Sequence, residues 1–342
     1  MTSEYIEKII ESEFQRVMTM GSDSSIADGA MGVALFMIWY GQHNNYPQYI
    51  DDGLHLIQSR CLNLSANDPL DLHKGQVGIA LGILYLTSSK VISTPVSDIL
   101  RQVDDNIFKN ITARLNQIER KHVGTLIDIA YYLALRLKKH TFEGIDHRIF
   151  SKLLSKIINT IYPKFFETLV QEVYPGGYSY KLPRFLLLLA CSFGNNFDSR
   201  INRIIDEIQP HVLAQIPYMI SNRLALSNAI YTLAQKKTAM HYRWMKHAKL
   251  LIESIDATDL DYEYKANQMS LYNGMGWFAI QLLYKKEYCF ILRQKLLDIV
   301  KEKLSRSCFS NMTYNELVER NFVGLYGILG FIIISLKFKQ EL

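Results

Sequence analysis

The chain has 342 residues, 49% hydrophobic and 21% charged, with a formal net charge of +5. That length exceeds the usual single core, so it implies two domains or one closed repeat architecture. The composition excludes a disordered chain, and positive charge with no run of five like charges excludes a nucleic-acid-binding stripe while permitting an acidic partner.

Four cysteines, Cys61, Cys191, Cys289 and Cys308, stand far apart with no CxxC or Cys-His spacing. The pattern predicts reduced, buried thiols. The acidic, polar start from Met1 to Glu7 has no signal-peptide character. The longest apolar run, Phe322 to Leu336, is shorter than the ~20 residues needed to span a bilayer. A soluble, cytoplasmic protein is expected.

In chain order, apolar residues at i, i+3 and i+4 predict an amphipathic helix over residues 4–20, carried by Ile6, Ile9, Ile10, Phe14 and Val17. Gly21 to Ser25 breaks it. Next comes a phrase of two small residues three apart leading into an apolar run, Asp28-Gly29-Ala30-Met31-Gly32-Val33-Ala34-Leu35. A second amphipathic stretch covers 46–62. Asn67-Asp68-Pro69 then leads to a second copy, Lys74-Gly75-Gln76-Val77-Gly78-Ile79-Ala80-Leu81. Clear copies recur at Asn273-Gly274-Met275-Gly276 and Val323-Gly324-Leu325-Tyr326-Gly327. Degraded ones fall at His122-Val123-Gly124, at Tyr180 to Leu186 and at Leu224 to Tyr231. Strand signals are weak throughout.

The second small-residue slot falls at Gly32, Gly78, Ile127, Arg184, Ala229, Gly276 and Gly327, in steps of 46, 49, 57, 45, 47 and 51 residues. Each step suits one helical hairpin. An all-apolar helix is buried on every side, and alternating it with amphipathic helices gives inner and outer rings. The expected fold class is all-α, an α/α toroid of about seven hairpins forming a single domain over 1–342. An open solenoid is the alternative, although no capping repeat is evident.

The Gly-x-x-Gly-apolar signature resembles the lanthionine synthetase C-like (LanC-like) family, the lantibiotic cyclases, across essentially the whole chain. The resemblance implies a seven-fold α/α toroid with a central zinc. That zinc activates a cysteine thiol of a precursor peptide for addition to a dehydrated residue, closing a thioether ring. The family's site is built from His-Gly-x-Pro-Gly, Trp-Cys-x-Gly and Cys-His-Gly. Here the first phrase falls on Tyr180 to Arg184, the second on Arg223 to Leu226, and the third on Leu271 to Asn273, or one residue later on Tyr272-Asn273. The implied metal positions therefore carry Leu224, Leu271 and Tyr272, none of them a usual zinc ligand. No cofactor is expected, and zinc-dependent cyclase activity is not.

Other chemistry stays open. The family's cysteines precede the first small residue by two, and that offset places His73 and His122 ahead of neighbouring repeats. They form a candidate acid/base or metal pair with Asp71 or Asp128, or else they are two capping, solvated loop histidines. Tyr174, Tyr178, Tyr180, Arg223, Tyr272 and Asn273 are expected near the same helix starts, as a peptide-binding cleft or as aromatics covering helix ends. Trp39, Trp277 and Phe278 read as core. Asp128 with Glu172 would be the only acids for a glycosidase reading. Asp51-Asp52 and Asp104-Asp105 lack the third Asp of a metal-diphosphate site. The leading reading is a zinc-less pseudo-cyclase that binds a precursor peptide or a peptide-modifying enzyme. The alternatives are a cyclase working without the usual zinc, or an unrelated α/α-toroid enzyme.

Overall fold

The computed structural model describes residues 2–19, 23–62, 64–65, 67–138, 144–174, 176–194, 198–236, 241–256, 258–264, 270–284, 290–307, 309 and 312–340. Cys289 and Cys308 lie outside these. No strand occurs among the described residues, so the fold is all-α, as the apolar periodicity predicts. No helix among them is long and apolar enough to cross a membrane.

The chain forms two compact units, Met1–Ala113 with Cys308–Lys337, and Arg114–Ser307 with Phe338–Leu342. The first holds α1 (Ser3–Thr19), α2 (Ala30–Asn44), α3 (Pro47–Leu56), α4 (Gln76–Ser88) and all but the last residue of α5 (Val96–Arg114). The second holds α6 (Val123–Lys138), α7 (Gly144–Val170), α8 (Lys181–Ser192), α9 (Asp198–Leu213) and α10 (Ile220–Ala234). It continues with α11 (His241–Glu253), α12 (Asp259–Glu263), α13 (Met275–Tyr284) and α14 (Phe290–Ser305). The chain then returns to the first unit with α15 (Tyr314–Glu319) and most of α16 (Ile328–Gln340).

Two kinds of helix alternate. α1 buries one stripe, Ile6, Ile9, Ile10, Glu13 and Val17, as the 3.6-residue period requires. α2 and α4 are buried on nearly every side. In the second unit α6 packs on α7 and α10 on α11, while α6, α8, α10 and α13 follow one another as neighbours. Phe185, Leu186, Leu188 and Leu189 of α8 are fully buried, each contributing about 1.5–3 kcal/mol of hydrophobic stabilisation.

The small-residue phrase has a specific cause. At Gly32 a Cβ would run into the carbonyl oxygen of Ile26, and at Gly78 into that of Leu72. In both cases the loop preceding the helix folds back over the helix's first turn, and a side chain there would push it away. The close approach that calls for glycine at these two positions is therefore made by each helix's own entry loop. Gly324 has φ 68°, and a Cβ on it would lie 2.5 Å from Cα of Asp28. Small-residue and left-handed requirements coincide at this position.

One repeat is displaced from its expected register. α10 begins at Ile220, with Met219 as the residue before it, so Leu224 and the small residues after it lie inside the helix. Ala225, Ser227 and Ala229 are small because they are buried in helix packing. They do not mark a helix entry.

Candidate functional site

Within the second unit, a polar and aromatic cluster gathers at the N-terminal ends of α6, α8 and α13. Asp128 is the one acid of α6, and Arg184 is one of two cations in the first turn of α8, with Lys181. The side chains of Asp128 and Arg184 are 7% and 11% exposed and form an ion pair. Arg184 Nη2 also donates to the Gly124 carbonyl at 2.9 Å, and the guanidinium lies 4.0 Å from the Tyr178 ring centroid. The Tyr178 hydroxyl donates to Asp128 Oδ1 at 2.6 Å. Burial opposes the charge on Arg184, but Tyr178 and Asp128 beside it outweigh that and raise its pKa.

The segment from Gly176 to Tyr180 ties this cluster to the start of α13. Tyr178 N–H donates to the Tyr272 carbonyl at 2.9 Å, and Ser179 Oγ donates to Asn273 Oδ1 at 2.8 Å. A Cβ on Gly177 would lie 2.5 Å from Asn273 Oδ1, so only glycine lets the two loops meet. The Tyr178 ring packs on Tyr272 at 5.9 Å and edge-on to Trp277 at 5.6 Å. The buried indole N–H of Trp277 has no hydrogen-bond partner among the described residues.

A second network anchors the same segment to the start of α10. Glu172 accepts from the backbone N–H groups of Tyr218 and Met219 at 2.8 and 2.7 Å, and from Asn222 Nδ2 at 3.0 Å. Asn222 Oδ1 accepts from Gly177 N–H at 3.3 Å. Ser221 donates its hydroxyl to Glu263, and its N–H at 3.2 Å. Burial raises the Glu263 pKa, an effect that the Ser221 hydrogen bonds only partly offset.

No protein-family model matches the sequence, and no curated protein sequence matches it significantly. Comparison with solved structures does find a relative in shape. Nisin cyclase superposes with a TM-score of 0.64 over 99% of this chain and 94% of its own, at 15% sequence identity. The chain has the fold of nisin cyclase. A match of that extent agrees with the LanC-like resemblance read from the small-residue phrases, and at that identity it speaks for the fold alone.

The zinc that the LanC-like resemblance implies can be tested against the donors present. Leu224 is buried inside α10 and has no lone pair to offer. Counted from the helix starts, the position two before the residue preceding each helix holds Pro217 ahead of α10 and Tyr272 ahead of α13. Leu271 falls one residue earlier, and Asn273 occupies the adjoining histidine place. These residues do not fit a zinc ion, which takes Cys, His or carboxylate ligands. Among the described residues no three His, Cys, Asp or Glu side chains gather as a metal site.

The remaining candidates separate clearly. Tyr178, Tyr272, Asn273 and Asp128 come together. Tyr180 does not join them, being 1% exposed with its hydroxyl unpartnered among the described residues. Burial and the nearby Glu172 charge push its phenol well above the ordinary range. Arg223 is spent on local backbone, donating to the carbonyls of Pro217 and Ser254 at 2.6 Å each. Tyr174 is 70% exposed.

His73, in the first unit, hydrogen-bonds Tyr326 through Nδ1 at 2.6 Å, while Asp71 accepts from the His73 and Lys74 N–H groups in a turn. His122, in the second unit, is exposed and closes a capping box with Glu119 on a short 3₁₀ turn. Each histidine has a local structural task. Glu172 and Asp128, the glycosidase candidates, are each engaged in their own hydrogen bonds.

Sequence reasoning missed Arg184, Trp277, Ser221, Asn222 and Glu263 as site residues. For Arg184 and Asp128 a signal was present in two charges of opposite sign near the starts of α6 and α8, each followed by an apolar run. The others carry no pattern that spacing reveals.

Proposed function

We propose that this chain is a zinc-less LanC-like protein of ribosomal peptide maturation, acting as a pseudo-cyclase that binds a precursor peptide or its modifying enzyme. The observation carrying this reading is the combination at the starts of α8, α10 and α13. The fold resembles a cyclase, while Pro217, Leu224, Leu271, Tyr272 and Asn273 stand where the resemblance places metal ligands and their neighbours. The Tyr178–Tyr272–Trp277 aromatics with Ser179 and Asn273 offer apolar bodies and polar tips, the composition that peptide-binding surfaces favour. The match to nisin cyclase runs through both compact units, which supports reading residues 1–342 as a single domain.

The second reading is a cyclase that works without zinc. It is favoured by the Tyr178–Asp128 hydrogen bond, a proton donor set on a buried carboxylate. A peptide thiol of pKa about 8.5 is only a few per cent thiolate at pH 7. Positioning and proton transfer would then carry the whole acceleration.

One experiment separates them. The chain is co-expressed with a dehydrated precursor peptide, and free peptide thiols are counted by alkylation, because ring closure consumes a thiol without changing mass. The pseudo-cyclase reading expects co-purification with unchanged thiol count and no stoichiometric zinc. Thiol loss that depends on Asp128 and Tyr178 favours the zinc-less enzyme. Stoichiometric zinc in the purified protein overturns both.

A further inference from the structure

The first unit carries a groove of about 870 Å³ between α1 and α3 that the candidate site above does not use. Its floor is apolar, formed by Ile10 and Phe14 of α1 and Met37 of α2. Its rim is acidic. Glu4, Glu7 and Glu11 are three and four residues apart, so they share one stripe of α1, and Asp52 of α3 faces the same space. The lone cation in the lining is Lys8, already paired with Glu4 at 2.8 Å on the open surface, where such a pair is readily exchanged. This local sign is opposite to the chain's net +5.

We infer that this groove binds a basic, amphipathic peptide segment of a partner protein, with Lys or Arg side chains on the carboxylates and aliphatic side chains on the floor. Two further observations select that occupant. Tyr46, 42% exposed, stands edge-on to Tyr49 at 6.0 Å at the α3 end, giving aromatic faces on which a cation can rest. The carboxylates are strung along roughly 10 Å of helix, a spacing for successive charges on a chain and too long for one metal ion. The field of the rim also reaches the groove wall. Burial, and then Glu7 and Glu11, push the Tyr49 phenol above its ordinary range.

The test uses the full chain and a fluorescent peptide of about four helical turns, with Lys at i and i+4 and Leu between, read by anisotropy. The expected result is saturable binding that weakens with salt and is absent for the same peptide with Glu in place of Lys. The double change Glu7→Lys, Glu11→Lys should weaken binding roughly tenfold or more. The equal charge change Glu302→Lys, Glu319→Lys, at exposed sites outside the groove, should not. Tyr46→Ala, which leaves the carboxylates in place, should weaken binding roughly threefold or more and guards against a misfolded double variant. No binding of the Lys peptide, or equal loss from both charge changes, overturns the inference.

Discussion

The Arg184 guanidinium lies 4.0 Å from the centroid of the Tyr178 ring and is paired with Asp128, so a buried cation is held between an aromatic face and a carboxylate that Tyr178 also serves. Removing one partner leaves the other charge stranded. Asp128→Leu or Arg184→Met alone should cost roughly 3–5 kcal/mol, whereas the joint change Asp128→Leu, Arg184→Met should recover most of it. Urea unfolding of the four proteins of this cycle checks the prediction. Additive losses in the double variant would show that the two side chains are not coupled.

Gly78 and Gly82 lie on the same turn-to-turn face of α4, yet their surroundings differ. A Cβ at Gly78 meets the rigid Leu72 carbonyl, whereas at Gly82 it meets the Met31 sulfur at 2.8 Å, the middle of a flexible side chain. Gly78→Ala should destabilise by about 1–3 kcal/mol despite alanine's better helix propensity. Gly82→Ala requires buried Met31 to shift but no backbone, and should cost clearly less than Gly78→Ala. Thermal melts of both variants decide it, and equal effects would remove the entry-loop explanation of the repeated phrase.

Glu263 is buried beneath Ser221, and burial raises its pKa. An acid whose folded pKa lies above its unfolded one binds protons more tightly in the folded state. Its contribution to stability is therefore greatest below the unfolded value near 4.3. It declines as pH rises through the folded value, then stays flat. Glu263→Gln should remove that decline and match or exceed the parent's stability at pH 7. Denaturant midpoints from pH 4 to 8 provide the comparison, and parallel pH profiles would refute the assignment.

Cys61 is fully buried, and desolvation pushes its thiol up to about 12. Between the unfolded thiol value near 8.5 and that figure, only the unfolded chain loses the proton. Stability should then fall by about 1.4 kcal/mol per pH unit across this window. Cys61→Ala should flatten the alkaline limb. Native alkylation should label half-buried Cys191 well before Cys61, as a mass-spectrometric time course would reveal.

Much of the architecture was readable because burial writes a period into the sequence. The stripe Ile6, Ile9, Ile10 and Val17 defined α1, and Gly32 and Gly78 marked two helix entries. The fifth entry was misplaced because Ala225, Ser227 and Ala229 imitate the phrase inside α10, where their smallness serves packing. Tyr180 and Arg223 were expected at a binding surface because both have a polar tip. Tyr180 is buried at the start of α8, and Arg223 turns back on the carbonyls around α10. Residue type alone cannot tell a tip aimed at solvent from one aimed at the chain. The meeting of Tyr178 with Tyr272 depends on two loops distant in sequence, and only the folded chain records it.

Glu13 accepts from Arg16 at 2.7 Å, from the Tyr314 hydroxyl at 2.9 Å and from the Gly324 N–H at 3.0 Å. One buried carboxylate in the first helix is therefore completed by residues some three hundred positions later. On the ribosome this acid has only Arg16 beside it until Tyr314 and Gly324 have emerged, by which time residues 114–307 of the other unit have all been made. Translation thus imposes an order, with the middle of the protein maturing first and the opening helix among the last to reach its final surroundings.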